Sequence, residues 1–290
     1  MRVLLAGLCT VDVVQRVAEF PEPSEKVQSL QVDVAAGGPA TNAAVTVAAL
    51  GAEATLVTAL GTHPLAALAR ADLEACGVDL VDLAPERTQA PPVSAVVVRD
   101  GDGERTVVSR NAAADKPLEL PDLAPIFERV DAVLVDGHHP ELALAVAREA
   151  RTREVPVILD AGSWKPVLDQ LLPLVHVAAC SARFRAPAPS LAVRGVSVTI
   201  TTAGPEPVAW STTEDSGQVP VPLVEARDTL GAGDVWHGAL AYAVATREGA
   251  VPDWIGYANA VAAERVRHVG PRSWTTPVGK LAKSREEGVR

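Results

Sequence analysis

The chain has 290 residues, 48% of them hydrophobic and 21% charged, with Lys+Arg 26 against Asp+Glu 36 and a net charge of −10. That balance is ordinary for a globular protein with a large core, and no basic block is long enough to follow a nucleic-acid backbone, so nucleic acid is excluded as a partner. No apolar run is long enough to span a bilayer, which sets a membrane role aside and makes the cytoplasm the expected setting.

In chain order, residues 3–8 are an apolar run of strand length, too short and too weakly flanked for a leader, and read as a buried first strand. Residues 11–34 hold two strand-like pieces separated by Phe20-Pro21-Glu22-Pro23. Gly37-Gly38 then leads into a helix over 39–50, which starts on Pro39 and stops at Gly51. A strand over 55–60 precedes a helix over 64–76 that stops at Gly77. Residues 94–99 and 105–110 flank Asp100-Gly101-Asp102-Gly103, which has hairpin turn chemistry. Strands over 132–135, 155–159, 174–179 and 196–201 follow, with a helix over 140–153 between the first two.

This alternation predicts an α/β protein with a mostly parallel central sheet and helices on both faces, whose ligands bind beyond the carboxyl ends of the strands. The two exceptions, 11–34 and 93–111, predict a small antiparallel sheet. No repeat or long linker divides the chain, so residues 1–290 are expected to form one domain. Cys9, Cys76 and Cys180 form no CxxC pair and no even framework, which predicts reduced thiols and no zinc site.

The most informative segment is Asp228-Thr229-Leu230-Gly231-Ala232-Gly233-Asp234, followed at once by small and apolar residues. A helix starting there presents unpaired N–H groups and the positive end of its dipole, and Gly231, Ala232 and Gly233 let an anion approach the main chain. Asp234 beside a bound phosphate would be repelled unless it had a further task, and taking a proton from an attacking alcohol is the natural one. Glycine and aspartate at a helix start also serve as plain capping residues.

The longer match resembles the C-terminal signature of the ribokinase-like sugar kinases, the B-type phosphofructokinase group. In that family this aspartate is the catalytic base and the preceding amides form an anion hole. The resemblance implies a ribokinase-like three-layer sandwich with a β lid built from 11–34 and 93–111, which often meets its copy in a homodimer. Surface hairpins with no part in closure are the alternative for these two segments.

Gly37-Gly38-Pro39-Ala40-Thr41-Asn42 is similar to the family's first signature. Two glycines let a sugar lie against the main chain, and the Asn42 amide both donates and accepts toward hydroxyl pairs. Asp12 matches the family's other sugar-binding acid. Alone, Asp12 is equally a turn residue and Asn42 a helix-start residue.

At the nucleotide end, Thr202-Ala203-Gly204 resembles the Thr-x-Gly-x-x-Gly turn that lies along ATP, with Pro207 in place of the last glycine. Asn259 falls where the family places a residue near adenine, although an asparagine on a helix surface is common. Cys180-Ser181-Ala182-Arg183 replaces the Asn-x-x-Glu that orders Mg²⁺ through water in many members. Asp160, at the end of the 155–159 strand, is the reserve candidate for holding that water shell, or else a strand-end cap.

Ketohexokinase-like members also depart from Asn-x-x-Glu, and the segment from Asp234 to Ala241 is similar to sulfofructose kinases as well. Pro39 stands where ketohexokinases present a polar side chain. His138 and His139 stand where sulfofructose kinases offer an arginine, so His138 is a candidate sugar contact or a plain loop residue. The resemblance therefore implies transfer from ATP, with Mg²⁺, to a hydroxyl of a small sugar such as a ketohexose, with a monovalent cation beside Val269-Gly270-Pro271 left open. A nucleoside kinase and a non-catalytic sugar-binding relative are the alternatives.

Overall fold

The computed structural model describes residues 1–110 and 118–288. Its strands are β1 (Arg2–Ala6), β2 (Thr10–Val17), β3 (Gln31–Gly37), β4 (Glu53–Thr58), β5 (Val78–Asp82), β6 (Val93–Arg99) and β7 (Arg105–Ser109) in the first part of the chain. β8 (Ala132–Val135), β9 (Val157–Ala161), β10 (Val177–Ser181), β11 (Val198–Ala203), β12 (Glu206–Ser211) and β13 (Ser216–Val219) complete them. The helices are α1 (Pro39–Ala49), α2 (Pro64–Ala75), α3 (Pro140–Thr152), α4 (Leu168–Leu171), α5 (Ala232–Ala245), α6 (Val251–Val266) and α7 (Thr275–Gly288).

Nine strands form one sheet in the order β13-β12-β11-β10-β9-β8-β1-β4-β5, parallel from β11 to β5. A strand buried on both faces has no reason to alternate, and β1 shows this. Val3 and Leu5 pack with residues of α1, α5 and α6, while Leu4 and Ala6 pack with residues of α3 and α4 on the other face. The result is the mostly parallel sheet between two helix layers that the alternation of elements implies, and the ribokinase-like three-layer arrangement that the resemblance implies.

Element identities follow the apolar runs, but several edges move. The expected strands over 155–159 and 196–201 run two residues later, as β9 and β11. Val155 and Val196 are buried in the turns before the ladders begin, so their apolarity reports burial and not pairing. Leu174, half-buried against the same core, ends a short 3-10 turn, so the strand expected over 174–179 begins later, as β10. The strands β5, β12 and β13 and the helix α7 carry weaker patterns. β12 adds antiparallel to β11 and β13 antiparallel to β12, and Pro207 lies beside the register shift between Thr201 and Ala203, where a missing N–H costs least.

The second sheet has the order β3-β2-β6-β7, with antiparallel outer pairs joined by a parallel β2–β6 pairing. It uses the two segments expected to lie outside the main sheet; residue 111, the last of the second segment, lies outside the described residues. Its inner side carries Asp12, and Val14, Val96 and Val98 close a small core there with Leu230. Its outer side carries Val34, Val13, Ala95 and Val108, which stand in register across all four strands. Among the described residues no helix is long and apolar enough to cross a membrane.

Candidate active site

The position of the late glycine turn follows from the packing of α1 on α5. α1 is rich in alanine, with Ala40, Ala43 and Ala44 fully buried, and a Cβ on Gly238 of α5 would lie 2.6 Å from the Ala43 carbonyl. Two small-residue faces thus bring the helix axes close. One turn before Gly238, the same face of α5 carries Asp234, and one turn before Thr46, α1 carries Asn42. The Asn42 Nδ2 donates to Asp234 Oδ2 at 2.8 Å, joining the two glycine turns from opposite ends of the chain.

Each turn has a backbone reason for its glycine. Gly38 caps α1 at φ 99°, and a Cβ there would meet the Leu8 carbonyl at 2.5 Å. Gly231 caps α5 in the left-handed region at φ 69°, with Asn42 Nδ2 3.4 Å from where a Cβ would be. Gly37 leaves room for the Asp12 carboxylate, which a side chain at that position would overlap. Asp12 Oδ1 accepts from the Thr10 hydroxyl at 2.5 Å. Asp12, Ala36, Asn42, Gly231, Val235 and Arg272 line one crevice between the two sheets.

Asp234 is not itself in that lining but is joined to it through Asn42, and its electrostatics favour a proton acceptor. Burial, then the nearby Asp160 charge, push its carboxyl up to about 6, against the lowering hydrogen bond from Asn42. Asp12 is also raised, first by burial, with the Thr10 and Ser94 hydroxyls opposing. Asp160 is raised by burial, and His237 of α5 opposes that rise. His237 Nδ1 lies 3.2 Å from Asp160 Oδ2 but without hydrogen-bond geometry, so the contact is electrostatic, while Nε2 reaches the Ala179 carbonyl at 3.3 Å.

A profile of the pfkB family carbohydrate kinases matches residues 2–277, which includes both glycine turns and the helix between Asp234 and Ala245. The chain belongs to the pfkB family of carbohydrate kinases. It is 26% identical over 251 residues to a ribokinase of Bacillus subtilis (strain 168), covering 84% of this chain and 85% of the relative. An ATP-dependent ribose-1-phosphate kinase of Halopiger xanaduensis is 32% identical over 164 residues, 56% of this chain and 54% of its own. Among solved structures, Arabidopsis thaliana ribokinase complexed with ribose and ATP superposes with a TM-score of 0.74 at 21% identity, covering 97% of this chain and 98% of that one.

Other expected residues of this pfkB kinase are placed differently. The Ala232 N–H makes a long bond of 3.3 Å to the Thr229 carbonyl, so it is partly engaged within the turn. Asn259, expected near the adenine, is 2% exposed, and its amide is engaged within the protein: Oδ1 accepts from Trp236 Nε1 at 2.8 Å and Nδ2 donates to the Pro220 carbonyl at 3.0 Å, tying α6 to α5. Thr202, the last residue but one of β11, pairs with Ser181 of β10, and Gly204 turns the chain at φ 64° into β12, on the carboxyl edge of the sheet. Arg183 is exposed just beyond β10 on that same edge.

His138 lies after β8, outside the crevice lining. Burial lowers its pKa below the usual histidine value, against the raising effect of Asp136, which keeps the ring neutral near pH 7.

Several residues of the site carry no local signal in the sequence. Asp136 is buried and accepts from the Leu8, Ala40 and His138 amides, at 2.9, 3.3 and 2.9 Å, fastening β1 and β8 to the start of α1. Arg272 donates to Asp72, to the Ala36 carbonyl at 2.5 Å and to Asn42 Oδ1 at 3.4 Å. That second contact on Asn42 fixes which end of its amide faces Asp234. His237 was findable only from its spacing, three residues after Asp234 on the same helix.

Proposed function

We propose that this kinase transfers the γ-phosphoryl group of ATP to a primary hydroxyl of a small sugar bound in the crevice. The observation that carries the reading is Asp234, with its raised carboxyl, held at a helix start against Asn42 of the other glycine turn. Asp234 would take the hydroxyl proton as the oxygen attacks phosphorus. The amides of Gly231, Ala232 and Gly233 would meet the charge on the transferred group, with Gly233 the most open of the three. Asp12, Gly37, Gly38 and Asn42 would hold the sugar hydroxyls, with His138 as a further contact. Thr202 and Gly204 would lie along the nucleotide.

Among the described residues no three His, Cys, Asp or Glu side chains gather as a metal cluster. That fits a Mg²⁺ ion carried on nucleotide phosphates, which keeps several waters and needs only one or two carboxylates. Asp160 is the acid on the carboxyl edge suited to those waters. When bound, the ion neutralises phosphate charge; the proton and the geometry are left to the protein groups.

The acceptor is read first as a pentose and next as a ketohexose, because the ribokinase relative spans 84% of this chain and the mouse ketohexokinase relative 48%. A coupled ADP assay across pentoses, ketohexoses, sugar phosphates, sulfosugars and nucleosides tests this. ADP release that depends on one sugar class is the expected result. Release that ignores the sugar, or calorimetric sugar binding with no turnover in ATP and Mg²⁺, would overturn it, and a nucleoside preference would move the acceptor class.

We also propose that two copies meet through the outer side of the second sheet. Val32, Val34 and Val108 are 58, 47 and 72% exposed there, an apolar strip that a lone molecule would leave in water. Sedimentation is expected to give a dimer, and Val108→Glu a monomer. A wild-type monomer at micromolar concentration would end the idea. The buried, unpaired thiols of Cys9 and Cys180 support a cytoplasmic setting.

A further inference from the structure

We infer that Arg265 serves as a tethered cation that sets the anion-hole turn, so that this kinase needs no monovalent cation from solution. Arg265 lies in the last turn of α6 and is 1% exposed. Its Nη1 donates to the His268 carbonyl at 2.7 Å and to the Asp228 carbonyl at 3.4 Å, and its Nη2 donates to the Leu230 carbonyl at 2.7 Å. The guanidinium also sits over the Trp274 ring, 6.0 Å from its centroid.

Three main-chain oxygens from two loops therefore converge on one point. Carbonyl dipoles aimed together repel one another unless a cation lies among them, and a cage of carbonyls is the chemistry that takes a dehydrated alkali ion. Here a side chain supplies the charge. Burial pulls the Arg265 pKa down to about 10, which still leaves it charged at neutral pH. Asp228 faces it with Oδ1 at 3.6 Å, and Arg16, Arg105 and Arg272 are the other charges acting on it.

The consequence falls on the site through the chain. Leu230 precedes Gly231, so the carbonyl held by Nη2 fixes the residue from which the helix start departs. Arg265 also lines the crevice, but its guanidinium nitrogens are turned to main-chain carbonyls, so in this scheme it is a positioning residue. The open question of a cation beside Val269-Gly270-Pro271 is answered by the same contacts, because the His268 carbonyl at that loop is already taken by the guanidinium.

The turnover arm of the test rests on the kinase reading above; the melting arm does not. Wild-type turnover is expected to be equal in potassium, sodium and tetramethylammonium salts. Arg265→Ala in tetramethylammonium should lose on the order of 10²-fold in kcat, as a misplaced catalytic turn does, with saturable recovery in potassium or millimolar guanidinium. Arg265→Lys, which keeps the charge without the fork, should recover part of the loss in every salt. In thermal melts, potassium or guanidinium should raise the Tm of Arg265→Ala and leave the wild type unchanged relative to tetramethylammonium.

A wild type that requires potassium or sodium, or whose Tm rises with either alone, would overturn the inference. So would a folded Arg265→Ala with full kcat in tetramethylammonium. If Arg265→Ala does not fold, the wild-type salts and Arg265→Lys decide. Absence of sugar-dependent turnover in all salts would count against the kinase reading, while the melts would still judge Arg265.

Discussion

Asp234→Asn is expected to lower kcat by ~10²- to 10⁴-fold, the usual contribution of a positioned base, with little change in sugar affinity. The separation of the two effects follows from the geometry. The substituted amide keeps an oxygen for the Asn42 Nδ2 donor now 2.8 Å away, so the two glycine turns stay joined and the crevice keeps its shape. What is lost is the capacity to hold a proton. Calorimetry of sugar binding beside steady-state ADP release checks both halves, and a variant with more than a tenth of wild-type kcat would remove Asp234 from the role.

The same residue sets a pH dependence. A base must be ionised to act, and its carboxyl is raised to about 6, so the proton returns at a higher pH than for a free aspartate. Activity should therefore be lost as pH falls through about 6, along a limb of unit slope in log kcat/KM. Asp160 is the second cause of that rise, so Asp160→Asn should move the limb to lower pH. A limb that stays in place would mean that burial alone sets it.

Asp228→Ala should cost about 3–5 kcal/mol in stability, the range for breaking a buried ion pair from one side. Asp228 is 1% exposed and gathers partners from three parts of the chain. Oδ2 accepts from Arg16 Nη2 at 2.9 Å and from the Gly270 amide at 2.9 Å, and Oδ1 accepts from the Leu230 amide at 3.0 Å. Arg265 Nη2 stands 3.6 Å from Oδ1. Alanine would leave the Arg265 guanidinium in low dielectric without its counter-charge, Arg16 with only the half-exposed Asp100 at 3.3 Å, and two amides with no acceptor. Denaturant unfolding reads the loss directly, and a change of less than about 1 kcal/mol would show that water reaches these groups. Because Arg16 belongs to β2, the small sheet should loosen before the large one, which amide hydrogen exchange would report.

The glycine turns and their polar residues were legible because helix-start chemistry is local. Gly38, Gly231 and Asp234 act within a few residues of where they stand, and a short segment carries the whole pattern. The buried strands were legible for a related reason, since an apolar run such as residues 3–6 reports burial on both faces without any knowledge of its neighbours. Ladder edges were not, because Val155 and Val196 are buried but unpaired.

Tertiary packing supplied the partnerships. Asn42 and Asp234 are 192 residues apart, and Arg16 and Asp228 are 212 apart; nothing near either residue names its partner. Asn259 looks locally like a surface asparagine, and only the docking of α5 on α6 turns its amide inward to Trp236. Arg265 looks like any helix-end arginine. An isolated charge in the chain has the same local pattern whether it ends in solvent or in a carbonyl cage, because the difference is made by desolvation, and desolvation exists only once distant segments have closed around it.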